Sequence, residues 1–194
     1  MADATAILGE WNGLDAARAV DVILPCNGSR AWAEGVVQLR PFGDVEDLFA
    51  AADRVWQSLA ESDWKSAFDS HPRLGERKAK AATEKSLHWS AGEQSAADGD
   101  DVAQQALAEG NREYEAKFGR IFLLCATGRS AEEMLTILRQ RMRNDANTEL
   151  REAAEQQRLI TQLRLRKWLG MPALTCAALM ENATERTMRS GEAA

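Results

Sequence analysis

TELREAAEQQRLITQLRLRKWL, residues Thr148–Leu169, is the stretch that decides the fold class. Leu150, Ala153, Gln157, Ile160, Arg164 and Trp168 recur on one face at helical spacing. Its Ala, Leu, Glu, Arg and Gln residues are strong helix formers, and the same types dominate the rest of the chain. β-branched residues are thin, and no segment alternates apolar and polar residues for long enough to make a convincing strand. The expected class is therefore all-α.

Working outward, apolar spacing predicts helices over Leu14–Leu24, Ser29–Leu39, Val45–Leu59, Asp101–Phe118 and Ala131–Arg143, with a final one over Pro172–Arg189. Ser130 and Glu133 form a capping box, followed by Met134, Leu135, Ile137, Leu138 and Met142 at helical intervals. Pro25, Pro41, Pro72 and Pro172 read as punctuation between helices. Lys78–Asp100 is polar and poorly periodic, either a linker or an ordered loop over a site. A single helical domain over 1–172 is expected, followed by a C-terminal helix and tail over 173–194 whose end is disordered.

The chain has 194 residues, 45% hydrophobic and 28% charged, with a net charge of -6. That balance argues against a nucleic-acid binder, which needs a basic face. The longest apolar runs, such as Val20–Pro25 and Ile121–Ala126, are far too short to span a bilayer, so no membrane partner is expected. The start MADATAILGE lacks the pattern of a signal peptide, which points to a cytoplasmic setting. Cys26, Cys125 and Cys176 are odd in number and form no CxxC pair, so three reduced, mostly buried thiols are expected. The two histidines, His71 and His88, fit no familiar metal-ligand spacing, and no metal is expected.

Polar residues break the apolar pattern at several places. His71 precedes Pro72, which pushes it toward extended backbone and suits Pro72 to a helix start. The imidazole is then either an acid/base group held at a fixed point or a residue that bonds nearby backbone. Ser90 and Glu93, in SAGEQ, match the capping-box pattern; the alternative is a carboxylate aimed at a ligand hydroxyl or urea N–H. Arg164 lies on the core-facing stripe of the quoted helix. It either snorkels over Ile160 and Trp168 or faces a cavity, ready to grip a carboxylate or carbonyl. Asn111 shares a face with Leu107, Tyr114 and Phe118, as a core network member or as a site group.

SHPRLGE at 70–76, SAGEQ at 90–94, NREYEAKFGRIF at 111–122, TGRSAEEML at 127–135 and RNDANTELREAAEQQRLITQLRL at 143–165 occur in that order. Together they resemble the 2-oxo-4-hydroxy-4-carboxy-5-ureidoimidazoline (OHCU) decarboxylase family, over roughly Ile7 to Leu169. The resemblance implies an all-helical bundle, a homodimer, and decarboxylation of the ureidoimidazoline to (S)-allantoin without metal or organic cofactor. It implies that His71 and Glu93 are catalytic. Pro72, Ser90, Arg164 and the Phe118-Gly119-Arg120-Ile121-Phe122 segment would bind substrate, the last through its backbone. Arg120-Ile121 departs from the pair found in many relatives. The rival readings are a cofactor-free lyase or hydrolase on another ureido compound, and a non-catalytic helical interaction module whose mark would be an exposed apolar groove.

Overall fold

The computed structural model describes residues 3–74, 88–89 and 101–179. Among these there is no strand, and the chain runs α1 (Ala4–Asn12), α2 (Ala16–Asn27), α3 (Arg30–Gln38), α4 (Val45–Ser58), α5 (Glu61–Phe68), α6 (Asp101–Phe118), α7 (Ala131–Arg141) and α8 (Ala146–Trp168). The all-α expectation holds. Most starts are set by a side chain that accepts from a first-turn N–H: Asp3, Asp15, Ser29, Asp44, Ser130 and Asp145. Ser130 and Glu133 complete the expected capping box. Asp15 and Asp145 also explain why α2 begins after Leu14 and α8 before Thr148, because the cap fixes the boundary more tightly than the apolar stripe does.

Several expectations are corrected. Pro25 lies inside α2 rather than between helices. Its missing N–H leaves the Asp21 carbonyl without the usual helical donor, and the helix ends two residues later at Asn27. α1 and α5 were not anticipated; at nine and eight residues each carries too short a stripe to stand out, and α5 opens on Ala60 without a side-chain cap. The segment from Pro172 is not helical until residues 176–179. The rest of that expected helix, the tail beyond Thr187 and nearly all of Lys78–Asp100 lie outside the described residues.

α8 is the spine. It packs against α2, α4 and α5, while α6 pairs with α7. One core gathers Leu8, Trp32, Phe49, Trp56, Leu159 and Leu165, among others, from α1–α4 and α8. Its indoles are satisfied as well as buried: Trp11 Nε1 donates to Ala19 O at 3.0 Å, Trp32 Nε1 to Ala52 O at 3.1 Å and Trp56 Nε1 to Ala154 O at 2.9 Å. A second core joins Leu74, Leu107 and Tyr114 to Met134 and Leu138.

An extended run between α6 and α7 stitches the two cores together. Leu123 and Cys125 face the first core, whereas Phe122, Leu124 and Ala126 face the second. This is the side-chain alternation of a strand, with no strand beside it among the described residues. Its main chain is satisfied by side chains instead: Arg141 Nη1 donates to Leu123 O at 2.7 Å, and the Cys125 N–H donates to Gln156 Oε1 at 3.0 Å. Cys125 is disulfide-bonded to Cys176, with Cα atoms 6.1 Å apart. That overturns the expectation of three reduced thiols; the partners are 51 residues apart in sequence, a separation that no short cysteine motif reveals. Cys26 is buried and lies outside the disulfide.

Candidate active site

The site is built where α2 and α5 end against the middle of α8. α2 terminates at Gly28 with φ 92°, a left-handed conformation that glycine adopts without a Cβ penalty. Space demands glycine there too: a Cβ would lie 2.1 Å from Ser70 Oγ and 2.5 Å from Ser70 Cβ. The backbone of α2 therefore presses directly on the residue before His71. Ser70 in turn is fixed by its Oγ, which donates to Ala67 O at 2.7 Å, and the His71 N–H donates to Phe68 O at 3.0 Å. His71 thus closes the end of α5. Pro72 and Arg73 are not helical, so the helix start expected at Pro72 is absent through Leu74.

The turn after His71 is clamped by α6. Arg73 grips Glu115 with both prongs of its guanidinium, Nε to Oε1 and Nη2 to Oε2, each at 2.9 Å. Asn111 reaches Leu74 O with its Nδ2 at 3.5 Å, and its buried Oδ1 has no hydrogen-bond partner. Asn111 is therefore tied to the His71 turn rather than to a network inside α6.

His71 is only 6% exposed and Arg164 only 1%. The guanidinium of Arg164 does not snorkel to solvent; its Nη1 donates to Pro25 O at 3.3 Å, inside the protein. Burial holds the His71 pKa well below the ordinary imidazole value, and the nearby Arg164 cation pushes it further down, while the Gln157 amide works in the opposite direction. The ring is consequently neutral at physiological pH. A neutral imidazole beside a buried guanidinium can take a proton, and the pair offers an anionic ligand a positive surface shielded from water.

Residues that sequence reasoning passed over complete the cluster. Gln157, Thr161 and Arg164 follow one another at i, i+4 and i+7 on α8, and Asn27 comes from the end of α2. Asn27 Nδ2 donates to Thr161 Oγ1 at 2.9 Å, and Gln157 Nε2 donates to Asn27 O at 3.2 Å. The signal was present in the quoted stripe, where Gln157 interrupts an apolar face one turn before Thr161. Asn27 falls between the expected helices Leu14–Leu24 and Ser29–Leu39, where the sequence carries no signal for it.

Phe118–Phe122 lies at the far end of α6. Gly119 ends the helix with φ 68°, and Arg120 Nη2 donates to Ala146 O at 3.2 Å. The Phe122 ring is committed to packing, edge-on to Tyr114 at 5.2 Å and 4.8 Å from the Arg141 guanidinium. Arg141 Nε donates to Glu149 Oε1 at 2.8 Å, and Tyr114 OH donates to the same oxygen. Only the main chain of Phe122 is left for any ligand. Ser90 and Glu93 lie outside the described residues; just before them Trp89 is buried, with Lys167 of α8 5.7 Å above its ring.

The family model described as OHCU decarboxylase matches residues 12–166. The chain belongs to the OHCU decarboxylase family. Among curated members of that family or similar to it, a 2-oxo-4-hydroxy-4-carboxy-5-ureidoimidazoline decarboxylase of Amia calva is 33% identical over 141 residues, covering 69% of this chain and 77% of that protein. The uric acid degradation bifunctional protein TTL of Arabidopsis thaliana is 36% identical over 144 residues, 73% of this chain. The chain spans only 44% of that larger protein. A crystal structure of an OHCU decarboxylase in the presence of (S)-allantoin superposes with a TM-score of 0.66 at 34% identity, covering 76% of this chain and 96% of that one. The family fold is therefore the fold observed.

Proposed function

We propose that this chain decarboxylates 2-oxo-4-hydroxy-4-carboxy-5-ureidoimidazoline to (S)-allantoin in urate degradation, with His71 as the acid/base group. The observation that supports this most directly is the buried approach of His71 to Arg164 in a chain of this family.

The substrate carries a carboxylate and a hydroxyl on one ring carbon, next to a C=N bond whose carbon bears the ureido arm. As the C–CO2 bond breaks, its electron pair flows toward the C=N, so the substrate supplies its own electron sink and the chemistry calls for no metal or organic cofactor. Arg164 grips the carboxylate or a ring oxygen and holds the breaking bond perpendicular to the ring. Neutral His71 takes the hydroxyl proton as that carbon becomes a carbonyl. The resulting imidazolium returns a proton to one face of the ureido-bearing carbon, which yields one enantiomer, while the ring nitrogen that received the electron pair takes the net proton of the reaction from water. Such help is worth roughly a hundred- to ten-thousand-fold in rate. Glu93 accepts from the ureido N–H groups with Ser90 beside it, Pro72 packs under the ligand, and the main chain of Phe118–Phe122 supplies further contacts. A homodimer and a cytoplasmic setting belong to the same proposal.

The test supplies freshly generated product of urate oxidation and hydrolysis and follows circular dichroism. Enzyme-dependent growth of the (S)-allantoin signal is expected, and His71→Ala or Glu93→Ala lowers it by orders of magnitude with helicity intact. A trace that matches spontaneous decay removes the activity. Near-full turnover in either variant removes that residue's role.

A further inference from the structure

Gln157 is fully buried, and only one end of its amide is bonded. The Thr161 hydroxyl donates to the main-chain oxygen of Gln157 at 2.9 Å, so its own oxygen is left to accept. It accepts from Asn27 Nδ2 at 2.9 Å and from Gln157 Nε2 at 3.3 Å. The Asn27 amide is itself held, because its Oδ1 accepts the Ser29 N–H at 3.1 Å. Gln157 Nε2 donates in addition to the Asn27 main-chain oxygen at 3.2 Å. Turning the Gln157 amide over would set its oxygen against that carbonyl and against a hydroxyl with no proton left to give. The Oε1 of Gln157 is therefore an acceptor fixed in place, and it has no hydrogen-bond partner.

The ring of His71 offers the matching vacancy. Its Nε2 is buried and also lacks a hydrogen-bond partner. Arg164 is the charged group that acts on the imidazole among the described residues, and α2 brings only the neutral groups of Pro25 and Asn27 to the cluster. Gln157 is the neighbour whose amide favours a protonated ring. A cation and a locked acceptor acting on the same ring do not affect its two nitrogens equally.

We propose that Gln157 is the positioning residue for His71: its amide oxygen, aimed by Asn27 and Thr161, takes the imidazole N–H, so that one ring nitrogen keeps the proton and the other turns a lone pair toward the reacting hydroxyl. Gln157 acts through the imidazole, and this role rests on the decarboxylase reading of His71.

The experiment uses full-length protein with 15N-labelled histidine. With only two histidines in the chain, a His88→Asn background leaves His71 as the sole imidazole signal. Long-range 15N–1H couplings then report the tautomer directly. One tautomer is expected with Gln157 in place. Gln157→Met, which has a similar shape and no acceptor, mixes or inverts it, and lowers kcat by up to about a hundredfold while KM changes little. Gln157→Glu keeps an acceptor, retains the tautomer and moves the acid limb of the kcat profile to higher pH; it also serves if the Met variant does not fold. A folded Gln157→Met protein with an unchanged His71 tautomer overturns the proposal, whatever its activity. So does an acid limb left unmoved by Gln157→Glu. If the protein lacks decarboxylase activity altogether, the functional reading fails, while the tautomer measurement still decides the role of Gln157.

Discussion

Burying a neutral imidazole gives the protein an acid-sensitive stability that can be assigned to one atom group. The folded-state pKa of His71 lies well below the unfolded value near 6.5. The unfolded chain therefore binds the extra proton first as pH falls, and stability drops from about pH 6.5 downward until the folded ring also titrates. Between pH 7.0 and pH 5.5, a ring that stays neutral in the fold removes up to about 1 kcal/mol, since each pH unit below the unfolded value is worth at most about 1.4 kcal/mol for one group. A loss of about 1 kcal/mol corresponds to a urea midpoint lower by roughly 0.4 M for a slope near 2–3 kcal/mol/M. Urea unfolding followed by far-UV circular dichroism at the two pH values measures it. The same pair of curves on His71→Gln removes the contribution of this ring while leaving the carboxylates unchanged. The wild-type chain should lose more than the variant over this interval, by up to about 1 kcal/mol. An identical loss in both proteins would refute the neutral buried imidazole, and with it the starting protonation state used in the mechanism.

The remaining expectations concern the frame and the anion grip. Unfolded but unreduced protein should show one titratable thiol, Cys26; Cys125→Ser should lower stability by about 4 kcal/mol, the loop-closure value for a 51-residue span. Three titratable thiols would disprove the bond. Gly28→Ala should cost about 1–3 kcal/mol from its positive φ and lower turnover besides, since the added carbon strikes Ser70 beside His71. Adding Ser70→Ala should not rescue it, because the Cβ contact of 2.5 Å remains, and a fully restored double variant would contradict that geometry. Arg141→Met strands a buried Glu149 and should cost about 3–5 kcal/mol in a chemical melt, whereas a surface pair would cost under about 1 kcal/mol. Arg164→Lys should weaken (S)-allantoin binding in calorimetry, because an ammonium cannot reproduce a planar fork; unchanged affinity would remove Arg164 from the ligand.

The fold was legible wherever amphipathic stripes were long. α6 and α8 needed only helical spacing, and α7 needed its capping box. The parts that stayed hidden had weak or ambiguous local signals. α1 and α5 are too short for a periodicity to rise above chance. Residues 121–126 are apolar without interruption, so the alternation between the two cores leaves no trace in hydropathy. Pro25 looked like a break because a proline costs the hydrogen bond to the carbonyl four residues before it, and sequence does not show that packing keeps the helix in spite of that loss. At the site, His71 and Arg164 were visible as polar intrusions, yet their meeting depends on α2 and α5 both ending against α8. Gln157 stood in plain view on the quoted stripe; what made it more than a core amide was Thr161, one turn on, and Asn27, 130 residues away.

The alternating run at 122–126 has a consequence for how the chain finds its native threading. A slip of a single residue would swap its two faces, sending Phe122 and Leu124 into the space shaped for Leu123 and Cys125. It would also turn the Cys125 sulfur away from Cys176. The covalent bond to Cys176 matches the observed threading, so where it forms it holds residues 122–126 to that register.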